Sequence, residues 1–329
     1  MGSMRKLALL ADVSVGTVWN YFNHPDLVGD ESRRSIEIAV KEIGYKHKRK
    51  LMFPNTQNYK TIGVIVPDFT NLFYIEVFGS LQNRLDEFGF SLALFDSKWS
   101  TQKEVSHIDY LCNQRIAGMV LAPSGEIPKE LKKISDRGIP CCIMGVRADS
   151  SDYFSVSTND FSGGEKGVNF LADNGHTSIV WLTKADPLPR QLIERELGAF
   201  SAAGERNVKL TKITTHEMSS TDGYMATEEI LDLPFPVTAI FCSNDLLGLG
   251  VLQCLSESEL EEKISVVGYD NLEILDTTSY KLNSIAQKPR NIGLRIADLL
   301  LDLVNGGSSH DSINHNIVLE TEIISRVKS

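Results

Sequence analysis

Thr61-Ile-Gly-Val-Ile-Val-Pro-Asp-Phe-Thr-Asn71 opens the longer part of the chain with a strand-like run, Ile62–Val66. Runs of the same kind recur at Leu92–Phe95, Met119–Leu121, Cys141–Met144, Ile179–Leu182, Ala239–Cys242 and Ile264–Gly268. Between them lie amphipathic stretches of helical length, such as Phe78–Phe88 and Ser162–Asp173. Strand alternating with helix predicts parallel α/β sheets. The 329 residues exceed one typical domain, and residues 61–329 suffice for two lobes of about 130 residues each, with a cleft between them. Ligands of open parallel sheets sit beyond the carboxyl ends of the strands. That rule makes Asp68–Tyr74, Gly145–Arg147, Asn244-Asp245 and Asp270 the candidate lining, with Asp68, Arg147 and Asn244 as polar members.

Upstream, the periodicity changes. Leu7, Leu10 and Ala11 recur at helical spacing, then Thr17, Val18, Tyr21 and Phe22 do so again after Val13-Ser14, which predicts two short helices and a tight turn. Ser14 can cap the second helix, and Gly16 keeps bulk away from whatever that end approaches. A third helix is expected from Asp30-Glu31, with Ile36, Ala39, Val40 and Ile43 on one face and Gly44 as its stop. The segment reads as a trihelical nucleic-acid module, or as a three-helix mini-bundle without that role.

The charge distribution favours the first reading. Residues 1–60 hold ten Lys/Arg against six Asp/Glu, so residues 61–329 hold 23 against 37 (33 less ten, 43 less six). The head is +4 and the body −14, although the whole chain is −10. Attraction for phosphate is concentrated at one end. The densest run, Lys46-His47-Lys48-Arg49-Lys50, reads as phosphate contact, with Lys48 among the DNA-binding candidates, or as a solvated linker.

Ala11-Asp-Val-Ser-Val-Gly-Thr-Val18, Asn23 and Ile43-Gly-Tyr45 resemble the helix-turn-helix head of the lactose-repressor (LacI/GalR) family. The resemblance extends through Thr61–Asp68, Gly175-His176, Asn244-Asp245, Ile264-Ser-Val-Val-Gly-Tyr-Asp-Asn271, Ser284-Ile-Ala-Gln287 and Glu322-Ile-Ile-Ser-Arg326. It implies an all-α helix-turn-helix head at 1–46, a hinge at 47–60 and an α/β two-lobed, periplasmic-binding-protein-like body with parallel sheets at 61–329. Lobe 1 is expected at about 61–160 plus 290–320, and lobe 2 at about 161–289 plus 321–329. The chain is then expected to cross between lobes near 159–163, 286–292 and 318–322. The resemblance further implies a homodimer on a near-palindromic DNA operator. A sugar-like effector in the cleft would switch it, by binding one lobe orientation more tightly than another.

For base reading the start of the second helix is favoured: Val15 against a thymine methyl, Asn20 toward adenine or a phosphate, Gly16 through its backbone. Thr17, Asn23 and Tyr45 are assigned to backbone positioning, with packing and helix-end capping as the alternatives for Thr17 and Asn23. Val18 belongs to the core. Two departures from the family pattern stand out. Trp19 replaces a small serine that faces phosphate, and its indole can donate to a phosphate, pack under the head or disable docking. In the hinge, Pro54 occupies the place of the leucine that wedges into the minor groove, leaving Leu51 and Met52 as substitutes.

For the effector, the resemblance points to Phe73 and Tyr74 as apolar platforms, Arg195 as a cleft cation and Asp270 as the carboxylate for ligand hydroxyls. Asp270 reads alternatively as a strand-end cap and Arg195 as a surface ion pair. Met218 reads as an adaptable wall or as core. Gly145-Val-Arg147 and Ala199 depart from the family's pocket pattern.

No catalytic motif is present, Ser162-Gly-Gly-Glu-Lys-Gly167 lacks phosphate-loop spacing, and neither a cofactor nor a metal is expected. The five cysteines are odd in number, with Cys141 and Cys142 adjacent, so no disulfide framework is indicated. Without a membrane-length apolar stretch the expected location is cytoplasmic. The competing reading is a sugar-binding sensor whose atypical head and hinge no longer read DNA. An enzyme is the remote one.

Overall fold

The computed structural model describes residues 4–23, 28–43, 59–126, 129–147, 153–304 and 316–326. The chain falls into two compact units, an N-terminal head and the body.

The head contains α1 (Met4–Leu10), α2 (Val15–Asn23) and α3 (Asp30–Ile43). Its core is Leu7, Ala8, Ala11, Val18, Ile36 and Ala39, with Tyr21, Phe22, Val40 and Ile43 packed at the margin. Leu10, expected inside, is 42 % exposed. Ala8 takes the inward position instead, because α1 ends at Leu10 and the chain turns through Asp12 at φ 49°. Ser14 Oγ accepts from Thr17 N at 2.9 Å, the expected cap of α2.

The body holds two six-stranded sheets. The first is ordered β11 (Asn316–Leu319), β5 (Phe154–Thr158), β4 (Cys141–Met144), β3 (Gly118–Leu121), β1 (Thr61–Val66) and β2 (Ser91–Asp96), all parallel. The second is ordered β12 (Glu322–Ile324), β10 (Asn283–Ala286), β9 (Ser265–Asp270), β8 (Ala239–Cys242), β6 (Ser178–Lys184) and β7 (Lys209–Thr215), with only β12 antiparallel. Strands covered on both faces are apolar at nearly every position, as β1, β3, β4 and β8 are. Along β6, Ile179 and Trp181 join one core with Phe241, Val267 and Tyr269, while Val180 and Leu182 join the opposite core with Ile240, Leu247 and Val266.

The helices are α4 (Leu72–Asp86), α5 (Thr101–Cys112), α6 (Leu131–Asp136), α7 (Asp160–Asp173), α8 (Arg190–Glu205), α9 (Ser220–Leu231), α10 (Asp245–Glu257) and α11 (Pro289–Val304). Five start from a side-chain cap at or just beyond a strand's carboxyl end: Asn71, Ser100, Asn159, Ser219 and Asn244. The helix read at Phe78–Phe88 begins at Leu72, because Asn71 caps it there, and it ends before Gly89 at φ 73°. Strands β5, β7, β10, β11 and β12 escaped the sequence reading; β5 is Phe-Ser-Val-Ser-Thr and β7 Lys-Leu-Thr-Lys-Ile-Thr-Thr, too polar to register as apolar runs.

Three chain passages join the lobes: β5 to α7, β10 to α11, and β11 to β12. They are bonded to one another. Thr158 Oγ1 lies 2.9 Å from Gln287 Oε1, and Asn159 Nδ2 donates to Glu320 at 3.4 Å.

Helices α7 and α8 pack backbone to backbone. A Cβ at Gly198 would lie 1.9 Å from the Phe161 carbonyl oxygen, and one at Gly164 would lie 2.0 Å from that of Arg195. Gly198→Ala is therefore expected to destabilise the body by about 2–3 kcal/mol through overpacking. The check is urea unfolding, with a lower midpoint at unchanged slope.

Candidate functional site

On the head, the start of α2 is open. Ser14, Val15 and Gly16 are exposed, Val15 by 45 %, while Thr17 and Asn20 are half-buried. Thr17 is tied to Ser14, both by the cap and by a 2.9 Å hydroxyl pair. Val18 is fully buried. The side chains of Trp19 and Asn23, and residues Tyr45, Lys48, Leu51, Met52 and Pro54, lie outside what the structure describes.

In the body, each sheet reverses its winding order at one place, where β1 sits between β2 and β3 and where β6 sits between β7 and β8. A crevice opens beyond the strand ends at such a reversal. Here a cleft lies between the lobes. It brings together Phe73, Tyr74, Arg195, Met218, Asn244 and Asp270, all named from sequence. Asp68 is absent from this lining and borders an outer chamber with Asp96, Lys98, Trp99, Glu217 and Asp222. Its carboxylate shapes its own loop, accepting from Thr70 N at 2.7 Å and Thr70 Oγ1 at 2.6 Å. Arg147 does not line the cleft and is exposed, since the chain leaves β4 at Gly145 (φ 83°) and turns it outward.

Phe73 and Tyr74 come from the first turn of α4, their rings edge to face at 5.4 Å. Burial, then the carboxylates of Asp270 and Asp68, push the Tyr74 phenol well above its usual range, so it is a hydrogen-bond donor. Asn244 is committed internally: its Oδ1 caps α10 at Leu247 N (2.9 Å) and its Nδ2 donates to Met218 O (3.0 Å). Met218 lines the cleft and also packs on the second lobe's core.

Arg195 lines the cleft, as the resemblance implied, and its ion pair is buried rather than at the surface. It is 3 % exposed, and Asp160, 1 % exposed, accepts from its Nη2 at 2.8 Å and its Nε at 3.2 Å. Its Nη1 donates to the Ser243 carbonyl, and its guanidinium lies 3.3 Å from the centre of the Tyr269 ring. Tyr269 OH donates to the same Asp160 oxygen at 3.1 Å, and Thr158 Oγ1 is 2.9 Å from the other.

Asp270 ends β9 at φ 108°, a strained backbone for a non-glycine residue. It accepts from Gln287 Nε2. Burial raises its carboxyl to about 7, against the opposing pull of Arg195 and the Gln287 bond. Asp245, also buried, is held well above its ordinary range, by burial first and then by Asp270, while it accepts from Ser284 Oγ at 2.6 Å and Leu272 N at 2.8 Å. Two polar atoms on the cleft wall, Ser157 Oγ and Gln191 Oε1, have no partner among the described residues.

The sequence reading missed Asp160, Thr158, Ser157, Gln191 and Gln287. A signal for Asp160 existed. Asn159-Asp160 repeats Asn244-Asp245, and in both pairs the asparagine caps a helix while the buried aspartate follows in its first turn. No group of three His, Cys, Asp or Glu side chains able to hold a metal occurs among the described residues, and no described helix is long and apolar enough to cross a membrane.

Comparison with known proteins agrees with this architecture. A periplasmic binding protein-like domain model matches residues 168–327. The chain is 29 % identical over 311 residues to the HTH-type transcriptional repressor PurR of Vibrio campbellii, with 92 % of each covered. It is 28 % identical over 310 residues to the HTH-type transcriptional repressor CytR of Escherichia coli, covering 92 % of this chain and 90 % of that one. A LacI family transcriptional regulator from Enterococcus faecalis, solved with bound ribose, superposes with a TM-score of 0.71 at 28 % identity, over 82 % of this chain and 98 % of the other. With its trihelical head, its two parallel-sheet lobes and this likeness over nearly its whole length, the chain is similar to HTH-type repressors and to LacI family transcriptional regulators.

Proposed function

We propose that the protein is a sequence-specific transcriptional repressor that binds a near-palindromic operator as a homodimer and is switched by a small, sugar-like effector in the inter-lobe cleft. The observation that carries this is one chain holding both an exposed, side-chain-capped second helix in its head and an interior cleft at the winding reversals of its two sheets. The relatives named PurR and CytR are repressors, and the ribose-bound relative supports a sugar in the cleft. The head at 1–46 reads bases with Val15, Gly16 and Asn20 and backbone with Ser14 and Thr17; the body at 61–329 senses. The cleft carries no chemical step, so the protein acts by binding alone. It works in the cytoplasm, and its five cysteines, all buried free thiols, suit a reducing compartment.

The test is selection from a randomised duplex pool at near-physiological salt, with and without a sugar mixture, beside Asn20→Ala. The wild type is expected to enrich a palindrome with salt-sensitive affinity, and Asn20→Ala to lose about 1–3 kcal/mol and relax preference at one position of each half-site. Binding that is salt-labile, without sequence preference and the same in both proteins would replace this reading with that of a sensor whose head no longer reads DNA.

A further inference from the structure

Arg195 is the only Lys or Arg among the described residues that line the inner cleft. A free guanidinium there would seat a carboxylate or phosphate as a two-pronged pair. This one is already taken. Of its five N–H groups, two meet Asp160 and one meets the Ser243 carbonyl, while Tyr269 covers one of its faces. The ion pair is closed: Asp160 accepts in turn from Tyr269 OH, with Thr158 Oγ1 2.9 Å from its other oxygen, and both charged residues are almost wholly shielded from water. An incoming anion has to displace Asp160 from inside the protein, or share the guanidinium with that carboxylate and sit beside its negative charge. The two remaining N–H groups can still serve an uncharged oxygen.

The rest of the lining has the same preference. Asp270 supplies a second acid, and the unpartnered Ser157 Oγ and Gln191 Oε1 offer neutral hydrogen bonds. The outer chamber adds Lys98, outnumbered by Asp68, Asp96, Asp222 and Glu217. An anionic ligand meets repulsion along this wall, whereas a hydroxyl-rich neutral one finds donors and acceptors throughout.

We infer that Asp160 is a specificity-determining residue: by neutralising Arg195 it restricts the cleft to uncharged hydroxylated effectors and rejects their acidic and phosphorylated counterparts. Asp160 acts through Arg195 rather than by pairing with ligand charge, and specificity here arises as a built-in penalty against the wrong class. The inference rests on the cleft being the effector seat.

The experiment is calorimetric titration of the full chain and of Asp160→Asn with matched probes: D-ribose and D-ribose 5-phosphate, D-glucose and D-glucuronate, and inorganic phosphate alone. Asparagine keeps an oxygen for the guanidinium while removing the charge. The wild type is expected to bind no acidic probe more tightly than its neutral partner and to give no heat with phosphate. Asp160→Asn is expected to bind phosphate and to shift the acid-to-neutral affinity ratio at least about tenfold toward the acid. A wild type that prefers ribose 5-phosphate or glucuronate overturns the inference, and so does a folded Asp160→Asn indifferent to phosphate.

Should that variant fail to fold, the Arg195 Nε–H resonance of the wild type decides. It is expected to exchange slowly and to stay unmoved by phosphate; a phosphate-induced shift overturns the inference. If a neutral sugar binds both proteins alike and phosphate distinguishes neither, the inference fails and the effector reading stands. If phosphate separates the two proteins while no sugar binds either, the inference stands and the sugar reading fails.

Discussion

Asp160→Ala is expected to destabilise the body by about 3–5 kcal/mol, among the largest effects of any single truncation in the cleft. The reason is what remains rather than what is removed. Arg195 is 3 % exposed, and without Asp160 its full charge is buried with one carbonyl and one aromatic face for company. Removing both charges is a different perturbation. The double variant Asp160→Ala/Arg195→Met is expected to recover most of the loss, because a buried ion pair and an apolar pair of similar volume are nearly equivalent in stability. A double-mutant cycle by urea unfolding measures this as a coupling of about 2–3 kcal/mol. An Asp160→Ala protein within about 0.5 kcal/mol of the wild type would show that Arg195 finds water, and that the closed pair is not what holds α7 to α8.

The second large effect is a pH dependence centred on Asp270. Its carboxyl is raised to about 7 in the folded protein, mainly by burial, and an unfolded chain returns it to near its ordinary 3.8. Between those values the folded state holds a proton that the unfolded state has released. Stability from this group is therefore greatest below about pH 4 and is lost as pH rises toward 7, by up to ~4 kcal/mol as an upper bound at about 1.4 kcal/mol per pH unit. Asp270→Asn is expected to flatten the stability profile between those limits. Effector binding runs the opposite way. A ligand hydroxyl that donates to Asp270 favours the ionised form, so affinity is expected to fall below pH 7, by as much as tenfold per pH unit, and to level off above it. Titrations across that range check the slope. Affinity indifferent to pH, with an unchanged profile in Asp270→Asn, would mean that no ligand hydroxyl donates to this carboxylate.

Much of the architecture is written in hydrophobic pattern. Ile62–Val66, Ile179–Leu182 and Ala239–Cys242 are unbroken apolar runs because helices cover both sides of each sheet, and a run of that kind is legible in any sequence. Edge strand β7 faces water along much of its length and β5 is built from Ser and Thr, so both vanish into their surroundings. The site was legible where local rules apply. Phe73 and Tyr74 follow a strand end, Asp270 closes another, and Ser14 precedes a helical period. What determines the electrostatics of the cleft is not local. Asp160 and Arg195 are 35 residues apart, and they meet only because Gly164 and Gly198 let two helices approach to backbone contact. No periodicity encodes that meeting. Arg147 fails for the converse reason, since its place beyond a strand end is right but one glycine turns it outward.

The three passages between the lobes lie side by side, stitched by Thr158 to Gln287 and by Asn159 to Glu320, and Thr158 and Gln287 also form part of the cleft wall. A turn of the lobes about these passages would therefore have part of the cleft wall as its axle. Force applied at an axle exerts no torque. A molecule contacting only Thr158, Gln287 and Asp270 stiffens the joint without choosing an angle for it, however tightly it is held. Leverage over the angle belongs to groups set off from the axle on opposing lobes, Phe73 and Tyr74 on one and Met218 on the other. A ligand's reach across the gap, rather than its grip on the axle, then sets how strongly it switches the protein.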